Sequence, residues 1–274
     1  MLGDVLTERS GRIRAARKLT RRRGRAKAGL FLAEGPQAVR EAVTSFDGRP
    51  AAAVEVFVTP VARERHADTV NRAIHAGVPV VDADETALAG LSETVTPQGI
   101  VAMCRSVARA DVSQAVHTEA RLVAVLVEGQ DPGNAGTVIR CADAAGADAV
   151  VLTAGSVDPE GGKAVRASAG GVFHLPIAAG APIVDVAEAL RSRGLTVLAA
   201  DGDADVDLDH AEEILARPTA WLFGNEARGL PEDIRALADH VVAVPIHGRA
   251  ESLNLATAAA VCLYASARAH RAGP

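Results

Sequence analysis

From Gly29 onward the chain alternates short apolar runs with amphipathic stretches, the pattern of strands separated by helices. "GLFLAEG", "AVEVFVT", "VPVVDAD" and "GIVAMCR" read as strands, while "PQAVREAVTSF", residues 61–76 and "ETALAGL" read as helices, the first opened by Pro36. Together they predict a small α/β unit ending near Ser106. Residues 107–120 are polar and weakly periodic, as a linker or linking helix would be. From Leu122 the alternation restarts with "LVAVLVEG", "DAVVLTAG", "FHLPIA", "LTVLAAD", "TAWLFGN" and "HVVAVPI". Strands this uniformly apolar are covered on both faces, which predicts a parallel sheet with helices on each side. The expected organisation is therefore a domain over 1–106, a linker over 107–120 and an α/β domain over 121–274. Ligands of such sheets bind outside the carboxyl ends of the strands, so polar residues directly after these runs are the ones to watch.

At 274 residues and 49% hydrophobic content, the chain can bury a substantial core. Its longest apolar stretch, "LNLATAAAVCLYASA", is shorter than the ~20 residues of a membrane span and is broken by Asn254, Thr257 and Ser266. No membrane segment is expected. The N-terminus lacks a signal-peptide core, and Asp4 and Glu8 oppose reading its arginines as a transit peptide. Cys104, Cys141 and Cys262 sit far apart in apolar runs without metal-ligand spacing, which predicts reduced core residues in a cytoplasmic protein and no metal site.

Net charge is −5, but residues 9–27, "RSGRIRAARKLTRRRGRAK", hold ten Lys and Arg and no acid, which leaves −15 on the rest of the chain. An acidic body with one basic arm results. The arm is either a solvated helical face or a contact for a polyanion, and ten unopposed cations favour RNA or DNA backbone.

Three strand ends carry unusual residues. After "VLVEG" comes "QDPGNAGTVIR", in which the glycines satisfy neither the dinucleotide fingerprint nor the phosphate loop. Taken alone, Asn134 reads as an N-cap and Arg140 as a solvated helix residue. In "WLFGNEARGLP" the strand stops at Gly224, which allows close backbone approach, and Asn225 and Glu226 follow at once. In "VPIHGRAESLNLATAAAV", Ser252 is a good N-cap and Asn254 then falls within the first helical turn.

In this order, "NAGTVIR" (134–140), "FGNEARG" (223–229) and "VPIHGRAESLN" (244–254) resemble the three motifs of the SpoU-type (TrmH-like) SPOUT RNA 2′-O-ribose methyltransferases, including ribosomal RNA enzymes of the antibiotic-resistance type. The likeness spans the chain, because "GLFLAEGPQAVREAV" and "TPQGIVA" look like the L30e-like substrate-binding domain that precedes the catalytic domain in this family. The resemblance implies a deep trefoil knot, a homodimer with active sites at its interface, and S-adenosyl-L-methionine as cofactor. It places Gly224, Val244 and Leu253 against the cofactor, with Phe223, Ile246 and Ala200 as further wall positions. It gives Arg140 a role at the RNA ribose, with Asn134, Glu226, Ser252 and Asn254 orienting Arg140, ribose and cofactor. Arg166 matches an RNA- or cofactor-contacting arginine and reads equally well as a surface helix residue. In the arm, Arg17, Lys18, Arg21, Arg22, Arg23 and Arg25 are the expected RNA contacts. Ribosomal RNA stands ahead of transfer RNA as substrate. A non-catalytic RNA-binding module would explain the arm but not the three strand ends, and a nucleotide-dependent oxidoreductase would need the missing fingerprint.

Overall fold

The computed structural model describes residues 5–46, 48–204, 206–225 and 228–272. The chain divides into two compact units, Met1–Val107 with Glu160–His174, and Ala108–Pro159 with Leu175–Pro274.

In the first unit, strands β1 (Leu30–Glu34), β2 (Ala53–Val58), β3 (Val80–Asp82) and β4 (Ile100–Arg105) form a sheet in the order β1-β4-β2-β3. β4 runs antiparallel to β1 and β2, and β3 runs parallel to β2. The helix expected over 61–76 is two, Pro60–Arg65 and Ala67–His75, broken at His66 (φ −114°, ψ 35°). The basic arm is folded: helices Gly11–Arg17 and Arg22–Ala28 flank a turn, and Ile13, Ala16 and Leu19 enter a core with Leu32, Phe57, Leu88 and Val101. The 3.6-residue period turns those three inward and leaves the intervening cations outside. Arg25 departs from its expected RNA role. It is buried, and its Nη1 donates to the Leu19 and Thr20 carbonyls at 3.0 and 3.2 Å, groups that the helical turn leaves unpaired.

Residues 160–174, which the sequence places in the second domain, group with the first unit. Phe173 stacks on Phe31 with centroids 5.8 Å apart, and Gln37 donates to the Ala169 carbonyl at 3.0 Å. The Glu160 carboxylate accepts from Ser106 Oγ and Val107 N–H at 2.8 and 2.7 Å. Val165, Val172 and Phe173 are buried, and periodicity does not say which surface covers them.

The second unit holds β5 (Ala108–Arg109), β6 (Leu122–Leu126), β7 (Ala149–Leu152), β8 (Ile177–Ala179), β9 (Thr196–Ala200), β10 (Val206–Asp207), β11 (Thr219–Phe223) and β12 (His240–Ala243). Their order is β10-β12-β9-β11-β6-β7-β8-β5, with every described pairing parallel. The six longer strands match the apolar runs. β5 and β10, two residues each, are too short to carry a period. The expected linker is only partly one, because β5 joins the sheet edge and Val112, Ala115 and Val116 are buried in this unit's core. Register sets the functional edge: Phe223 lies beside both Leu126 and Ala200, and Val242 beside Ala200. The loops after β6, β9, β11 and β12 therefore leave the sheet side by side.

Candidate active site

At that carboxyl edge a cleft of about 590 Å³ opens, within the ~300–1,000 Å³ usual for small-molecule sites. Ala200, Phe223, Gly224, Val244, Ile246 and Leu253, the six expected cofactor positions, all line it, together with Ser252 and Asn254. Glu226 lies outside the described residues. Asp201, Asn225 and Glu251 also line the cleft and were not singled out as site residues from sequence. Asp201 ends the run "LTVLAAD", so the strand-end rule that selected the other loops reaches it too.

Both helix starts differ from the sequence expectation. Asp131, not Asn134, caps the Pro132–Ala145 helix, its Oδ1 accepting from Asn134 N–H at 2.8 Å. Asn254, not Ser252, stands at the head of the Leu255–Ala272 helix, with Oδ1 accepting from Ala256 N–H at 2.9 Å and Thr257 N–H at 3.4 Å. Because Oδ1 is committed to those amides, Nδ2 is the end that reaches Asn134, donating to its Oδ1 at 3.2 Å. Ser252 remains at the cleft wall.

The loop after β11 closes on itself, with Asn225 N–H donating to the Gly229 carbonyl at 3.1 Å and Gly229 N–H returning to Asn225 at 2.8 Å. Gly229 adopts φ +65°, the left-handed region that glycine tolerates. A Cβ on Gly224 would meet the Gly229 and Leu230 backbone at 2.4–2.6 Å. The glycine is thus required by the loop itself, besides lining the cleft as the sequence led us to expect. Asn225, buried, donates Nδ2 to the Glu128 carbonyl at 2.8 Å and ties this loop to the end of β6.

Arg140 is exposed on the Pro132–Ala145 helix and is not among the described cleft residues. At 1.5 Å per residue its backbone stands ~9 Å along the axis from Asn134. Arg166 belongs to the first unit, where its Nη1 donates to the buried Glu34 carboxylate at 2.8 Å. That partner favours the structural reading of Arg166. Among the described residues no group of three or more His, Cys, Asp or Glu is placed to hold a metal ion, and no helix is long and apolar enough to cross a membrane.

Residues 121–264 match the SpoU rRNA Methylase family, and residues 11–102 match the MRM3-like substrate binding domain. The chain belongs to the SpoU rRNA methylase family. It is 32% identical over 264 residues to the 23S rRNA (guanosine(2553)-2'-O)-methyltransferase RlmP of Bacillus subtilis, covering 95% of this chain and 98% of that protein. Two solved structures superimpose on it over 97% of its length. An AdoMet-bound rRNA methyltransferase from Sinorhizobium meliloti gives a TM-score of 0.80 at 28% identity, covering 98% of that chain. The SpoU methyltransferase AviRb from Streptomyces viridochromogenes, in complex with AdoMet, gives 0.81 at 27%, covering all of it (100%).

Proposed function

We propose that the protein is an S-adenosyl-L-methionine-dependent RNA methyltransferase acting on a ribose 2′-hydroxyl of ribosomal RNA. The observation that supports this best is the convergence of all six expected cofactor positions on one cleft that also holds Ser252 and Asn254. Its donor set fits the cofactor. Ala200, Phe223, Val244, Ile246 and Leu253 offer apolar walls to an adenosine, and the Asp201 and Glu251 carboxylates suit a ligand carrying positive charge. When bound, S-adenosyl-L-methionine supplies an activated methyl group on a sulfonium.

The residues around the cleft must orient a ribose whose hydroxyl is a weak nucleophile until its proton leaves, so much of the rate rests on positioning. In this proposal Asn134, Ser252, Asn254 and Glu226 hold that ribose. A guanidinium with a pKa above ~12 is a poor base, so Arg140 stabilises the developing alkoxide electrostatically instead of removing the proton. Its position away from its own chain's cleft leads us to assign it to the cleft of a second copy in a homodimer. The exposed cations of residues 9–27 would deliver the RNA.

Incubation with labelled cofactor and total RNA, followed by mapping of 2′-O-methyl sites, tests the proposal. A single new site in ribosomal RNA is the expected result. A site only in transfer RNA would change the substrate, and absence of both cofactor binding and methylation would leave an RNA-binding module.

A further inference from the structure

Val127 still pairs with the end of β11, its N–H donating to the Phe223 carbonyl at 2.8 Å, and the next residue turns the chain out of the sheet. That residue is Glu128, at φ +50°, one of two described residues other than glycine with a positive φ. A side chain makes this left-handed conformation unfavourable, and it persists where the surroundings over-determine it. Here they do. The Glu128 N–H donates to Thr153 Oγ1 at 3.0 Å, and its carbonyl accepts from Asn225 Nδ2 at 2.8 Å and from Gln130 Nε2 at 3.2 Å. These are main-chain bonds, which a glycine would make with less strain. What a glycine lacks is the carboxylate, which accepts from Arg228 Nη2 at 2.9 Å. Gly155 leaves room for that side chain, since a Cβ there would stand 3.3 Å from Glu128 Cγ.

Glu128 therefore holds the loop after β11 twice, by its carbonyl at Asn225 and by its carboxylate at Arg228, which stand on either side of Glu226 in the sequence. From Glu128 the chain runs through Asp131 into the helix that carries Asn134. With the two side chains 45% and 68% exposed, the ion pair adds little to the stability of the fold. A strained backbone kept for a bond of so little stabilising effect points to geometry at the site as its use. Neither Glu128 nor Arg228 is among the described cleft residues, so their effect on the reaction must pass through the loops that they join. We propose that Glu128 is a positioning residue for methyl transfer, which through Arg228 sets the loop carrying Glu226 against the segment that leads to Asn134. The inference rests on the methyltransferase reading above and adds to it a residue pair that acts from outside the cleft.

The test uses the full-length protein with total RNA and labelled S-adenosyl-L-methionine. Glu128→Gly relaxes the backbone and keeps the carbonyl at Asn225 but releases Arg228. We expect kcat to fall about ten- to a hundredfold, the loss that a small misplacement of reacting groups brings. The melting temperature should not drop, and calorimetric affinity for the cofactor should hold, so that kcat changes while KM for the cofactor does not. Glu128→Gln keeps the reach and an acceptor for Arg228 and should regain part of the rate. Arg228→Ala should match Glu128→Gly, and the double variant should be no slower than either, because the two residues act as one unit. Amide exchange at Asn225 and Gly229, whose N–H groups close the loop, should quicken in Glu128→Gly without a change in global stability. Wild-type kcat in Glu128→Gly would overturn the proposal, as would losses that multiply in the double variant. A parallel fall in melting temperature and cofactor affinity would also overturn it, since that marks a structural role alone. A wild-type protein that neither binds the cofactor nor methylates RNA would overturn the methyltransferase reading, and this inference with it.

Discussion

Asn254 donates its amide to Asn134 Oδ1 across 3.2 Å, joining the start of the Leu255–Ala272 helix to the first turn of Pro132–Ala145. One side chain thus caps a helix with its oxygen and holds Asn134 with its nitrogen. Asn254→Asp retains the capping oxygen but sets a carboxylate against the Asn134 carbonyl. Its thermal stability should stay near wild type while methyl transfer drops at least tenfold. Asn254→Ala should lose activity and also about 0.5–2 kcal/mol of stability. Equal activity in both variants and wild type would remove the pair from the site.

Arg140→Ala should abolish methyl transfer while leaving cofactor affinity unchanged, because its assigned partner is the ribose oxygen. If it serves a second copy's cleft, mixing inactive Arg140→Ala with inactive Asn254→Asp subunits should restore part of the activity, since mixed dimers rebuild one complete site. Recovery should be absent when either variant is assayed alone. No recovery after verified subunit exchange would place Arg140 on its own cleft or outside the site.

Gly224→Ala puts a methyl group 2.4–2.6 Å from the Gly229 and Leu230 backbone, a contact no rotamer relieves. Overpacking of this kind costs about 1–3 kcal/mol, so the melting temperature should fall together with cofactor affinity. Loss of affinity at unchanged stability would show instead that the ligand itself approaches Gly224.

The contacts of residues 160–174 decide which fragments fold. Phe173→Ala should destabilise the protein by about 3–5 kcal/mol. Arg166→Ala should cost less, roughly 1–3 kcal/mol, because Ser92, Thr94 and the Glu93 N–H still bond the Glu34 carboxylate. Residues 1–107 expressed alone lack Phe173, Arg166 and Glu160 and should melt well below the same unit in the whole chain. Chemical denaturation monitored by circular dichroism reads all three.

Burial pushes the Cys262 thiol from its ordinary value near 9 up to about 12. Cys104 is raised too, by burial first and then by the Glu160 charge, with Arg105 opposing. Both thiols should resist iodoacetamide in the native state at pH 8. The stability that these neutral thiols contribute is fully present below pH 9 and is lost as pH rises toward their folded values. Urea midpoints should therefore decline between pH 9 and 12, and Cys262→Ala should flatten that decline.

Much of the fold was legible locally. Continuous apolar runs as short as "LVAVL" and "TAWLF", bounded by turn residues, read as strands buried on both faces, so the parallel sheet and its carboxyl-edge ligand rule were legible in the residue pattern. The three polar loops, in their order, carry the resemblance to the family, and the cofactor positions which that resemblance implies line one cleft. Other features depend on partners distant in sequence. That Arg25 is buried, that Phe173 packs on Phe31, that Asn254 rather than Ser252 caps a helix, and that Gly224 serves its own loop were settled by which backbone and side-chain groups the fold brings within a few ångströms. Periodicity reports which face of a segment is apolar, because that depends on neighbours three and four residues away. The surface that covers the face, and the acceptor that a buried polar group finds there, exist only once the chain has closed on itself.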